Sequence, residues 1–272
     1  MILHYVSSNG NDFDLKVGHF RMRTADFHTY EWIPQAVTQQ YGERPYRFDR
    51  NARTYDAEMS IFGTMDEKKT FLNLLHAAFD HDIINLTPGK IIHGEYEIEC
   101  YITMSNTYYD KPFIYNSLSF YCPYPFWTKE KTYSMKGGEG AKTYEYLDFS
   151  YDFAFDYKAK LPGYEMIANF GEASAPYKMV IYGPATNPVV VIDDVQIGVN
   201  ATIGADERVE ISSKDKTVIL KGAFDRDIFN QRVKGKTSMF ESIKSGEHSV
   251  LWNGAFNVDL TLYEERSEPL WI

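Results

Sequence analysis

Alternation of apolar and polar residues along the chain predicts mainly β-strands. Residues 55–62, 95–104 and 113–122 each place apolar side chains at alternate positions, a period typical of strands with one buried face. We interpret the second and third segments as an antiparallel pair joined by a turn or short loop at 105–112. The side chains predicted to face inward are Tyr55, Ala57, Met59, Ile61, Tyr96, Ile98, Cys100, Ile102, Met104, Ile114, Leu118, Phe120 and Cys122.

One segment changes from the two-residue period to a helical one. Thr64 and Glu67 have the spacing of a capping box, in which each side chain bonds the other residue's backbone amide at a helix start. A single apolar stripe follows at helical spacing, which predicts one α-helix packed across a sheet. The stripe consists of Phe71, Leu74, Leu75, Ala78 and Phe79.

A domain boundary is predicted near residue 130. The sequence CPYPFW at 122–127 ends the preceding strand, because its two prolines lack the amide hydrogens that a sheet needs. The glycine-rich sequence KGGEG follows at 136–140 and indicates a flexible connection. We therefore predict two domains, at residues 1–130 and 131–272.

The second domain is predicted to be entirely β. Short strands separated by turns from residue 176 onward are typical of a sandwich or jelly roll, whereas 221–248 is less regular and suits a long loop or a short helical turn. The row of aromatic residues at 147–157 is interpreted as one strand face of a core, or alternatively as a surface that stacks on sugars or docks a partner. The last strand, at 255–263, turns Phe256, Val258, Leu260 and Leu262 inward.

The segment at 20–54 has little regular pattern. It combines arginines and prolines with aromatic residues. We keep two interpretations open, an arm that reaches a neighbouring molecule and a plain loop.

Composition narrows the classes of function. The net charge of −10 argues against sequence-independent binding of nucleic acid, because such binding needs clustered lysine and arginine. No run approaches eighteen apolar residues and the first residues lack a signal-peptide pattern, so we expect a chain that folds in a cytoplasm. The 21 tyrosines and 18 phenylalanines favour β-structure and supply anchors for interfaces.

Signals for catalysis or metal binding are weak. Cys100 and Cys122 are too few for a disulfide framework or a zinc site, and both fall on predicted buried faces. The seven histidines are scattered, and none has the spacing of metal ligands. A pair of carboxylates could assemble across strands as in glycosidases, but the glutamates of 95–99 are more simply a solvated strand face. We predict no catalytic, cofactor or metal site.

Five stretches resemble the siphophage distal tail protein family (Dit), a tail component of phages that infect Gram-positive bacteria. They are the helical DEKKTFLNLLHAAF after Gly63, SFYCPYPFW, DFSYDFAFDY, NFGEASAPYKMVIYGPATNPVVVIDD and the ending YEERSEPLWI. Tyr124 stands where the family commonly has an aspartate. The order and spacing of these stretches carry the resemblance along nearly the whole chain.

The resemblance implies a mostly β protein with two domains. The N-terminal β-sandwich with one helix would close into a hexameric ring that continues the tail tube, and a C-terminal galectin-like jelly roll would lie outside the ring. The implied function is a distal tail or baseplate hub without enzymatic activity, cofactor or membrane. Its implied partners are further copies of itself, the tail tube protein, the tail-associated lysin or tail tip protein, and the receptor-binding protein, while DNA passes through without specific binding. The implied location is the virion tail, assembled in the cytoplasm of the bacterial host.

Five apolar residues are candidate structural or interface anchors. They lie beside the predicted boundary and in the sequence LWI that follows Pro269, where we expect the tryptophan to dock in a groove between the domains or on a neighbouring subunit. These residues are Phe126, Trp127, Leu270, Trp271 and Ile272.

Two other functions remain open from the residues. The first is a carbohydrate-binding module of a cell-wall-targeting system, with tyrosines and phenylalanines of 144–157 as its platform. The second is a jelly-roll hydrolase that uses a carboxylate pair.

Overall fold

The computed structural model describes residues 3–110, 113–137 and 163–270. It divides the chain into two compact units, Met1–Lys129 with Glu265–Ile272, and Glu130–Glu264. The sequence pattern predicts residues 265–272 as part of the second domain, whereas the structure groups them with the first unit. The reason is visible in the side chains, since the Tyr124 hydroxyl donates a hydrogen bond to Glu265 within that unit.

The first unit is a β-structure with one helix. Its described elements are β1 (Leu3–Val6), β2 (Asp12–Asp14), β3 (Phe20–Ala25), β4 (Ile33–Thr38), β5 (Glu43–Asp49), β6 (Arg53–Ile61), α1 (Met65–Ile84), β7 (Gly89–His93), β8 (Tyr96–Asp110), β9 (Phe113–Cys122) and the start of β10 (Trp127–Met135). Strand β8 belongs to two antiparallel arrays. Its first half pairs with β7, which leads on to β1 and β2, and its second half pairs with β9, which leads on to β6 and β3.

The predicted inward rows of the first unit are buried with one exception. Both cysteines are buried and free, as predicted. Met104 is 49% exposed, because the β8–β9 register shifts between Ile102 and Met104 and the alternation of faces changes there. The turn predicted at 105–112 is also wrong, since β8 continues as far as Asp110, which pairs with Phe113.

Helix α1 begins with the predicted capping box. Thr64 Oγ1 accepts a hydrogen bond from the Glu67 amide at 3.4 Å, and Glu67 Oε2 accepts one from the Thr64 amide at 2.8 Å. The predicted stripe is correct except at Leu74, which is 52% exposed. The buried face instead includes the polar residues Lys68 and Asp82, which lie seven positions to either side of buried Leu75.

Buried Asp82 fastens the last turn of α1 to the chain around β1. Its carboxylate accepts hydrogen bonds from the Tyr5 hydroxyl, from Ser7 Oγ at 2.7 Å, and from the amide and hydroxyl of Ser8 at 2.9 and 2.6 Å. Several donors therefore offset the cost of removing a charge from water.

The second unit is a β-sandwich. Its described elements are β11 (Gly163–Asn169), β12 (Tyr177–Tyr182), β13 (Ala185–Thr186), β14 (Val189–Ile192), β15 (Val195–Gly198), β16 (Thr202–Ile203), β17 (Arg208–Ser212), β18 (Thr217–Lys221), β19 (Arg226–Asp227), a 3₁₀ turn (Phe229–Gln231), β20 (Gly246–Trp252) and β21 (Val258–Arg266). Strands β19, β18, β17, β12 and β21 pair in that order, and β11, β20, β14 and β15 form a second sheet.

The core of the second unit matches the sequence pattern. Phe256, Val258, Leu260 and Leu262 are all buried, as predicted. The irregular segment 221–248 contains short β19 and the 3₁₀ turn. The aromatic row at 147–157 lies outside the described residues. No helix in the described part of the chain is both long enough and apolar enough to cross a membrane.

Candidate self-association surface

Strands β4 and β5 form a hairpin that stands apart from the sheets of the first unit. They pair from Ile33 opposite Asp49 to Thr38 opposite Glu43, and among the described strands they pair with each other only. Every residue from 37 to 48 is exposed. A two-stranded hairpin alone is marginally stable in water, so this hairpin gains from contact with another surface.

The hairpin exposes large apolar side chains along its length. Val37 is 60% exposed, Tyr41 86%, Tyr46 69% and Phe48 54%. Clustered exposed aromatic residues of this kind mark interaction surfaces, because burying them releases water and supplies anchors.

The base of the hairpin is a cluster of aromatic rings around Arg50. The Arg50 guanidinium lies 4.6 Å from the ring centre of Phe126 and 5.2 Å from that of Trp32, and the two rings are 6.0 Å apart. Burial lowers the pKa of Arg50 from its ordinary value. These contacts place Phe126 where it supports the hairpin.

The segment 20–54, which contains the hairpin, differs in charge from the rest of the chain. Residues 20–54 contain six arginines, no lysine and four acidic residues, a net charge of +2, so the remaining residues carry −12 of the total of −10. Opposite charges on two surfaces steer association and fix register. Within the hairpin itself the charges balance, since Arg44 and Arg47 are matched by Glu43 and Asp49, so the two exposed arginines are the groups available to carboxylates on another surface.

A shallow groove beside α1 has the opposite character. It is a cavity of about 350 Å³ that combines apolar Phe13, Val17, Phe71 and Leu74 with the carboxylates of Asp12 and Asp14. Backbone amides of Lys16 and Val17 hydrogen-bond to Asp14 and lower its pKa, which keeps this carboxylate negative. The groove thus offers apolar surface with an acidic rim.

The other predicted anchors lie in different surroundings. Trp127 is completely buried in the first unit, with its ring 5.6 Å from that of Phe27. Leu270 is 39% exposed, and Trp271 and Ile272 lie outside the described residues. The segment before them is attached to the first unit, since Arg50 donates a 3.5 Å hydrogen bond to the Ser267 carbonyl and Pro269 is buried.

Among the described residues, no three histidine, cysteine, aspartate or glutamate side chains are grouped so that they could hold a metal ion. Comparison with protein families finds no matching family model, and no curated protein matches the sequence.

Solved structures give a clear similarity in fold. The SPP1 Dit (gp 19.1) protein, described as a paradigm of the hub adsorption apparatus in phages that infect Gram-positive bacteria, matches with a TM-score of 0.63 at 12% identity, covering 98% of this chain and all of that one. This chain has the fold of SPP1 Dit. Chains of the phage P2 baseplate in its activated conformation, with Ca and with Sr, match with a TM-score of 0.62 at 11% identity, covering 99% of this chain and all of theirs.

The similarity to SPP1 Dit confirms the predicted fold class, which is mostly β with one long helix. It also agrees with the resemblance drawn from the five sequence stretches. The β4–β5 hairpin is a feature that the sequence pattern did not predict as strands. Its only local signal is Gly42, which has a φ of 78° in the turn, a conformation that glycine adopts readily.

Proposed function

We propose that this chain is a structural protein of a phage tail. The observation that carries the proposal is the similarity to SPP1 Dit and to chains of the phage P2 baseplate over both units and nearly every residue. The proposed role is mechanical and involves no catalysis. Its place would be the virion tail, after assembly in the cytoplasm of the bacterial host.

In detail, we propose that the chain is the distal tail or baseplate hub protein. Six copies would close into a ring through the first unit, which would join the tail tube protein to the tail-associated lysin or tail tip protein and to the receptor-binding protein. A strongly negative chain suits a ring through which DNA passes, because like charges do not adhere. The second unit would be the galectin-like domain outside the ring.

The hairpin β4–β5 is the proposed contact between neighbouring copies. A ring requires two different patches on each subunit, one of which binds the other patch on the next subunit. The hairpin exposes Arg44 and Arg47 beside its aromatic residues, and the groove beside α1 combines apolar surface with two carboxylates, so arginines can meet carboxylates and rings can meet apolar surface. We place Arg44 and Arg47 of one copy near Asp12 and Asp14 of the next.

Light scattering followed by negative-stain microscopy tests the proposal. A closed ring of six has a mass of about 189 kDa, six times the subunit mass of 31.5 kDa, and shows a central hole. Because ring closure in a tail can depend on a partner, the measurement is repeated in the presence of the proposed tail tube partner. A monomer under both conditions would overturn the hexameric ring.

A further inference from the structure

The second unit contains a groove whose function the proposed ring does not explain. One part is a cavity of about 340 Å³ between the β14–β15 turn, the start of β20 and the loop around residues 237–244. Ligand sites in proteins typically begin at about this volume. The apolar part of its lining is provided by Tyr177, Ile192, Ile197 and Ile243, all of them buried.

A second cavity extends the first one. Its volume is about 460 Å³, and its lining includes Gln196, Lys234 and Lys236. Asp194 and Thr237 line both cavities, so the two form a continuous groove. Two adjoining cavities of this volume suit a ligand made of repeated units, one unit in each cavity.

The turn at one edge of the groove is held in place by the protein itself. Asp193 Oδ2 lies 2.7 Å from His248 Nδ1, and Asp193 Oδ1 accepts a 3.1 Å hydrogen bond from the Ser249 amide. Burial opposes ionisation of Asp193, but hydrogen bonds from His248 and Ser249 outweigh it and lower the pKa of this carboxyl.

His248 also fixes the opposite edge. Its Nε2 lies 2.8 Å from the Lys244 carbonyl oxygen, which can only accept a hydrogen bond. The Asp193 carboxylate is likewise an acceptor, so each ring nitrogen of His248 faces an acceptor on a different edge of the groove. The two edges of the groove are thereby tied together before any ligand binds, which reduces the entropy cost of binding.

Several charged side chains at the groove make no polar contact with the described part of the protein. The side chains of Asp194, Glu241, Lys234, Lys236 and Lys244 are exposed and have no hydrogen-bond or ion-pair partner among the described residues. Carboxylates and ammonium groups therefore share one lining, with Asp194, Glu241 and Lys244 at the first cavity and Lys234 and Lys236 at the second. A purely cationic ligand would be repelled by the lysines, and a purely anionic one by the carboxylates.

We propose that this groove binds an oligosaccharide of at least two rings. A sugar hydroxyl both donates and accepts, so it can pair with carboxylates and ammonium groups alike. The C–H face of a sugar ring matches the apolar lining below them. The proposal differs from a platform at 147–157, because every residue that it uses lies between 177 and 248.

A glycan array bearing bacterial cell-surface and host oligosaccharides, probed with the intact protein, tests the proposal. The strongest oligosaccharide on the array is then titrated by calorimetry. We expect binding to the wild type and at least about tenfold weaker binding to Asp194→Asn and to Glu241→Gln, since each loses a charged hydrogen-bond acceptor. The melting temperature should stay unchanged because neither side chain has a partner in the protein.

Asp206→Asn and Glu247→Gln are matched controls. Both residues are exposed acids of the same unit outside the groove, and both variants should bind like the wild type. Absence of binding to every glycan on the array, or binding that the two groove variants leave unchanged, would overturn the proposal. Ring formation is measured separately, so either proposal can fail while the other stands.

Discussion

The Tyr124 hydroxyl donates a 2.8 Å hydrogen bond to the carboxylate of Glu265, 141 positions later in the chain. Tyr124 follows β9, and Glu265 lies near the end of β21, so the bond joins two distant parts of the chain within the first unit. Burial, followed by the charge of Glu265, raises the pKa of Tyr124 above its ordinary value, which keeps the hydroxyl protonated as a donor.

Replacing Tyr124 by phenylalanine should destabilise the first unit by about 1 kcal/mol, because one hydrogen bond to a partly buried carboxylate is lost. Urea unfolding followed by tryptophan fluorescence measures this loss. Tyr121→Phe is the control, since the Tyr121 side chain has no hydrogen bond among the described residues. Equal stabilities of the two variants would show that the bond does not hold the C-terminal segment.

Asp82 should make the first unit sensitive to acid. Although burial opposes ionisation, hydrogen bonds from Ser8, Tyr5 and Ser7 lower the pKa of this carboxyl below its ordinary value. A lowered pKa contributes stability above the unfolded value of about 3.9, and that contribution is lost as the pH falls through the folded value.

The variant Asp82→Asn tests this acid dependence. At pH 7 it should unfold more easily than the wild type by about 2 kcal/mol, since the amide cannot accept the same set of hydrogen bonds. The difference should narrow when urea unfolding is repeated at roughly pH 3. A difference that is independent of pH would mean that the Asp82 charge contributes nothing.

Hairpin variants separate self-association from folding. Arg44→Glu with Arg47→Glu should abolish the oligomer while the melting temperature stays within about 2 °C, because both side chains are exposed. Asp12→Arg with Asp14→Arg, combined with the first pair, should restore part of the assembly if the two surfaces meet. Light scattering measures both outcomes.

The apolar residues of the hairpin provide an independent test of the same contact. Tyr41→Ser with Tyr46→Ser should also give monomers, since these aromatic rings are the proposed anchors. Phe224→Ser is the matched control, because Phe224 is 85% exposed in the second unit and should not affect assembly. Wild-type oligomers in the hairpin variants would place the interface elsewhere.

Gly183 should tolerate no side chain. A Cβ atom there would lie 1.8 Å from the carbonyl oxygen of Gly204, so the backbone of one of the two segments would have to move. Gly183→Ala should lower the stability of the second unit by about 3 kcal/mol or more. Gly235→Ala should be close to neutral when both variants are compared by scanning calorimetry, because its Cβ would lie 3.5 Å from the Thr237 carbonyl oxygen, an ordinary contact distance.

The terminal residues can be tested by truncation. Deleting Leu270 to Ile272 should lower the melting temperature or break the oligomer, if the tryptophan docks as the sequence predicts. Trp271→Ala alone should give most of the effect, because this is the largest side chain of the three. An unchanged melting temperature together with an unchanged oligomer would show that these residues contribute neither to stability nor to assembly.

Strands with one buried face could be predicted from the sequence, and strands without one could not. The row from Tyr55 to Ile61 alternates because the core selects apolar residues at every second position. Residues 37–48 are all exposed. No core therefore selects apolar residues at alternate positions in the hairpin, and its sequence does not show the two-residue period. The second half of β8 was missed for a related reason, since polar residues such as Ser105 and Asn106 form a strand there through pairing with β9.

The surfaces proposed for function could not be predicted from the sequence, because their residues come together only in the folded structure. The groove in the second unit brings Tyr177 and His248 to the lining of one cavity, and only the folded sheet determines that neighbourhood. Phe126 could be predicted as an anchor because it directly follows Pro123 and Pro125, which mark the end of a strand. Its contact with Arg50 depends on the path of the hairpin.

The first unit is assembled from segments that a ribosome makes at different times. Residues 130–264 are synthesised before Glu265, Ser267 and Pro269 exist. A nascent chain that stops within the second unit therefore lacks the bond to Tyr124 and the contact with Arg50. Because Arg50 also contacts Trp32 and Phe126 at the base of the hairpin, the complete set of Arg50 contacts exists only in a chain that has been translated through the second unit.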